Sequence, residues 1–154
     1  MTKHELTQRQ AAAWASYQRM RTRLTGRLNR ELAHTTRLSE ADFEILVALT
    51  ESPDESVRAL ALRCGLEWEK SRLSHQLRRM EARGLVTRED CVEDNRGSVV
   101  RVTEAGRKLA AEARYHYEQA VRRYVTDVLT ADQMEALSTI AETVLTQLEE
   151  SHNP

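Results

Sequence analysis

Two short β-prone runs, LVTRED at 85–90 and SVVRV at 98–102, interrupt a chain otherwise written in helical periods. The polar turn DNRG between them completes a hairpin signal. Four helical segments precede the hairpin and two follow it, and that order constrains the fold more than any other feature. It predicts a mainly α chain with a small β-hairpin. Only two prolines and five glycines occur in 154 residues, and 31% of residues are charged, which suits a helix-rich globular protein. One domain, 1–154, is the simplest reading at this length.

The first helix is expected from Leu6 to Ala33. Trp14, Tyr17, Met20, Leu24, Leu28 and Leu32 recur there at three- and four-residue spacing and form one apolar stripe. Ser39 with Asp42 three residues later reads as a capping box for a second helix, which ends near Pro53. Ser56 is expected to cap a short third helix, VRALALRC, that stops at Gly65. The fourth, WEKSRLSHQLRRMEARG, buries Leu73, Leu77 and Met80 and stops at Gly84. Thr103 caps the fifth, with Leu109, Ala113, Ala120 and Tyr124 near one face. Thr130 and Gln133 form the box that opens the sixth.

Helices two to four with the hairpin, 38–103, have the order of a winged helix-turn-helix, in which the fourth helix reads DNA and the hairpin is the wing. Ser71, Ser74, His75, Arg78 and Arg79 lie opposite the apolar stripe of the fourth helix, with Arg72 beside them. No acid occurs from Ser71 to Met80, whereas a merely solvated helix face intersperses acids with bases. Hydroxyls, imidazole and guanidinium groups reach base edges and phosphates in a major groove. Charge agrees: residues 58–108 hold twelve Lys and Arg against eight Asp and Glu, and residues 109–154 hold three against eight. At the wing tip, Arg96 suits a narrow minor groove, with Asp94 holding its guanidinium or bracing the turn and Gly97 reversing the chain.

The sixth helix carries Met134, Leu137, Ala141, Val144 and Leu148 at alternating three- and four-residue spacing, a heptad seam. Such wide stripes at both chain ends exceed what a small winged core can cover. They mark 6–37 and 104–150 as dimerisation helices. Two-fold symmetry would set two recognition helices roughly 34–36 Å apart on a pseudo-palindromic double-stranded operator.

The segments LSEADFEILVAL, RRMEARGLVTRED and EDNRGSVVRVTEAGRKL, with their Asp-x-Arg turn and Thr-x-x-Gly helix start, resemble the multiple-antibiotic-resistance regulator (MarR) family. The resemblance implies a homodimeric, ligand-responsive transcriptional regulator, usually a repressor. It places Ser71, Arg72, His75 and Gln76 in the major groove and Arg96 in the minor groove. One departure is Trp68, bulky where many members have a short polar cap. The resemblance also puts an effector pocket where the dimerisation helices meet the winged core. There Trp14, Tyr17 and Arg21 could offer an aromatic wall and a cation to a small acidic or phenolic ligand, or simply be interface and solvated surface.

Other chemistries have less support. Ser71 and His75 can touch, but no orienting carboxylate or Gly-rich oxyanion loop accompanies them, so catalysis is not expected. Neither a metal site nor a cofactor is expected. Cys64 and Cys91 form no CxxC pair; Cys64 reads as a small core residue and Cys91 as a candidate redox thiol on the hairpin. A thiol-switched regulator and a winged helix that binds protein instead of DNA are the alternatives. The chain has no apolar run of membrane-spanning length and no apolar signal core, which points to the cytoplasm.

Overall fold

The computed structural model describes residues 5–90 and 97–152. Among the described residues, six α-helices and three strands run in the order α1 (Gln8–Thr36), α2 (Glu40–Glu51), β1 (Ser56–Arg58), α3 (Ala59–Leu66), α4 (Lys70–Ala82), β2 (Val86–Asp90), β3 (Ser98–Val102), α5 (Glu104–Val121) and α6 (Ala131–Glu150). A π-helical turn, Arg122–Thr126, follows α5. The chain divides into two compact units, 1–117 and 118–154.

In the first unit, α2 begins as its sequence dictates. The Ser39 hydroxyl accepts from the Asp42 amide, and the Asp42 carboxylate accepts from the Ser39 amide. The same reciprocal box, Thr7 with Gln10, opens α1. Behind these helices sits a core of Leu38, Ile45, Leu46, Leu49, Leu77 and Met80, all fully buried. Removing each such side chain from water contributes about 1.5–3 kcal/mol.

The sheet is larger than a hairpin. β3 pairs antiparallel with β2, Val86 opposite Val102 and Asp90 opposite Ser98, and also with β1, Val57 opposite Val100. Ser56 is therefore a strand residue, not a helix cap. Arg58 occupies the N-cap of α3 without a side-chain cap bond. Nor does Gly65 end α3, which continues to Leu66 and is closed by Glu67 in the left-handed region (φ 55°). α1 runs on to Thr36 before Arg37 closes it, also left-handed (φ 60°). Cys64, expected in the core, is exposed, because the buried position of this short helix is Leu62.

The wing is joined to α5 through Thr103. Its hydroxyl donates to the Gly84 carbonyl at 2.7 Å and accepts from the Gly106 amide at 3.0 Å, while its own amide donates to the Leu85 carbonyl. A Cβ on Gly106 would lie 2.1 Å from the Leu85 oxygen. The Thr-x-x-Gly pattern is thus a close approach of helix to strand that no larger residue permits. Arg107 adds two donors, Nε and Nη2, to a single Glu55 carboxylate oxygen, Oε2.

In the second unit, Thr130 and Gln133 form the expected box and α6 runs to Glu150. Tyr124 lies in the π-turn, where the regular period of α5 has ended.

Candidate nucleic-acid interface

The face of α4 follows from which residues its core takes. Leu73, Leu77 and Met80 are buried, so the helix turns Ser71, Arg72, His75, Arg78 and Arg79 outward as exposed residues, with Ser74 half-buried. Five of the expected contact residues therefore share one exposed, acid-free surface. Gln76 does not join them. It is 5% exposed and its amide is used inside the protein, donating to Asp42 Oδ1 at 2.5 Å and accepting from Arg79 Nη2 at 2.7 Å. Asp94, Arg96 and Cys91 lie outside the described residues.

Trp68 occupies the turn just before α4, outside the helix expected to contain it. Its amide donates to the Arg63 carbonyl, and its ring is 8% exposed. The Arg72 guanidinium stacks on that ring, 3.9 Å from the centroid, a cation–π contact that holds the first-turn arginine in place. Arg72 also acts electrostatically on Glu44 of α2. Burial raises the Glu44 carboxyl above its ordinary value, Glu40 raises it further, and Arg72 partly opposes both. Tyr117, whose ring lies 5.1 Å from that of Phe43, is raised by burial first and then by Glu40 and Glu44.

Beside α4 a cleft of about 300 Å³ runs between α3 and the wing, with Arg63, Lys70, Ser74 and Arg88 in its lining. Its cations extend the basic surface of α4 toward the strands. Arg63, on α3, carries positive charge that a reading of α4 alone passes over; the signal was the basic excess of 58–108 as a whole.

Trp14 and Tyr17 form a pair with ring centroids 5.3 Å apart, and both are largely exposed, as is Arg21. On α6, Leu137, Ala141, Val144 and Leu148 are exposed and Met134 is half-buried, so the seam stands open in the single chain. Among the described residues, no cluster of His, Cys, Asp and Glu could hold a metal ion, and no helix is long and apolar enough to cross a membrane.

The MarR family model matches residues 38–98. AbsC of Streptomyces coelicolor, a MarR family transcriptional regulator, is 32% identical, with a TM-score of 0.88 over 96% of this chain and 99% of its own. Sco3205 of the same organism, another MarR family regulator, was solved in complex with DNA. It is 33% identical, with a TM-score of 0.88 over 94% of this chain and 91% of its own. At 21% identity, CouR of Rhodococcus jostii RHA1, solved with p-coumaroyl-CoA, shares the fold with a TM-score of 0.69 over 82% of this chain and 87% of its own. None of the curated proteins is a significant sequence match.

Proposed function

The chain belongs to the MarR family of transcriptional regulators, and on that premise we propose that it is a homodimer that binds a pseudo-palindromic operator. The acid-free face of α4 carries this reading. A helix that buries one stripe and presents two serines, a histidine and three arginines on the other is built for a polyanion of regular groove geometry. Ser71, Arg72, Ser74 and His75 meet base edges, Arg78 and Arg79 meet phosphates, and Arg96 of the wing, with Asp94 bracing it, enters the minor groove. Gln76 supports this surface from behind. That Sco3205, 33% identical, was solved in complex with DNA supports DNA binding by this chain.

Dimerisation runs through α1, α5 and α6. The exposed stripe Leu137, Ala141, Val144 and Leu148, with Met134 at its start, is too apolar to remain in water. Binding is repressive and is released by a small acidic or phenolic ligand seated near Trp14, Tyr17 and Arg21; that CouR, which shares the fold, was solved bound to p-coumaroyl-CoA supports a ligand-responsive reading. Such a regulator works in the cytoplasm, beside its DNA.

A mobility shift on fragments upstream of the protein's own gene tests the reading. Retardation that weakens steeply with salt is expected. Arg21→Ala should still shift the fragment but lose release by acidic effectors, whereas Cys91→Ser should respond normally. Absence of any shift at low salt would instead favour a protein-binding winged helix, and peroxide-dependent release requiring Cys91 would favour the thiol switch.

A further inference from the structure

Gln76 is a polar side chain buried in the middle of the helix that otherwise faces solvent with its polar residues. A carboxamide can present either its oxygen or its NH2 inward. Asp42 decides which, because a carboxylate only accepts. Gln76 Nε2 therefore turns inward to Asp42 Oδ1 (2.5 Å), and Oε1 turns outward, where it accepts from Arg79 Nη2 (2.7 Å).

Asp42 is itself fixed. Its second oxygen accepts from the Ser39 amide at 2.9 Å and from Arg83 Nη1 at 3.0 Å. The other Arg83 nitrogen donates to the carbonyl of Arg37, the residue that closes α1, at 3.1 Å. A continuous hydrogen-bonded chain thus runs from the end of α1 and the start of α2 to an exposed arginine of α4. Capping α2 needs only the oxygen that faces Ser39. The bond to Gln76 uses the other oxygen, and an apolar side chain at 76 would serve the core as well.

We propose that Asp42 and Gln76 are positioning residues for operator recognition: they touch no DNA, but hold the Arg79 guanidinium and the pose of α4 against α2. This rests on the DNA-binding reading above. A free arginine loses rotamer freedom when it docks, whereas one already bonded to Gln76 has less to lose.

The test exchanges donor and acceptor across the shared bond. Gln76→Glu sets two carboxylates against each other. Asp42→Asn with Gln76→Glu restores the bond in reverse, keeps the charge of the pair that Gln76 and Asp42 carry, and leaves Arg79 an acceptor. Operator and random-sequence affinities are measured at fixed salt on variants that unfold cooperatively well above the assay temperature. Gln76→Glu should weaken operator binding roughly tenfold, a usual size for a coupled buried pair. The double variant should return to within about threefold of wild type by the same reckoning. If Gln76→Glu does not fold, Gln76→Met, similar in volume and unable to bond, should lower Tm by the cost of an unpartnered buried carboxylate oxygen yet, still folded at the assay temperature, show the same operator loss. A folded Gln76 variant that binds operator like wild type would overturn the proposal. So would a double variant no better than Gln76→Glu. Wild-type protein that binds no DNA at all would instead bring down the functional reading, and the proposal with it.

Discussion

The Arg72 guanidinium carbon lies 3.9 Å from the centroid of the buried Trp68 ring, so the arginine in the first turn of α4 rests on an aromatic floor. A planar guanidinium stacked this way keeps its N–H edge free for a base. Arg72→Ala should weaken specific operator binding by about 1–3 kcal/mol and relax base preference at one position in each half-site. Arg72→Lys should recover little, since an ammonium neither stacks nor donates in a fork. Titration against operators mutated one base pair at a time reads both effects. Equal footprints for wild type and Arg72→Ala would remove Arg72 from the contact set.

Gly106→Ala should destabilise the first unit. The added methyl meets the Leu85 carbonyl oxygen, a backbone atom held by two bonds from Thr103, so relief requires moving the wing joint. A loss of about 1–3 kcal/mol or more in urea unfolding is expected, the range for an overfilled site. An unchanged urea midpoint would show that strand and helix do not meet this closely.

The titration of Glu44 has a definite sign. Burial first, then Glu40, raise its carboxyl above the ordinary 4.5 in the folded protein, so ionisation at neutral pH disfavours folding. The unfavourable contribution disappears as pH falls through the raised folded value and is gone below 4.5. Glu44→Gln should therefore be more stable than wild type at pH 7, with the difference shrinking on acidification toward pH 4.5. Urea midpoints across that window measure it. A variant less stable at neutral pH would mean that the attraction of Arg72 outweighs burial.

The open stripe of α6 makes the dimer testable. Leu137→Glu puts a charge into the seam, where burying it without a partner costs several kcal/mol. Sedimentation at micromolar concentration should find wild type dimeric and Leu137→Glu monomeric or unfolded. A monomeric wild type would contradict the assignment of these helices.

What the sequence disclosed is local. The Ser39–Asp42 and Thr130–Gln133 boxes, the buried Leu73, Leu77 and Met80, and the Thr103 cap were all legible because each depends on residues within a turn or two. β1 was not, since three residues become a strand only by pairing with β3 more than forty positions later. Gln76 was placed in the groove by the family resemblance, and its partner, Asp42, 34 residues away in sequence, could not be read from the helix itself. Cys64 was misplaced for a related reason: eight residues of α3 carry too little periodicity to say which face the sheet covers.

Footprinting across the region upstream of the protein's own gene tests the central claim most directly, because it reads sequence specificity and two-fold geometry together. Two protected half-sites related by a pseudo-dyad, with centres roughly 34–36 Å or one helical turn apart, are expected. Protection should fade as salt rises and vanish for an Arg72→Ala, Arg78→Ala double variant. Uniform protection without sequence preference, or none at low salt from a folded dimer, would contradict an operator-reading regulator.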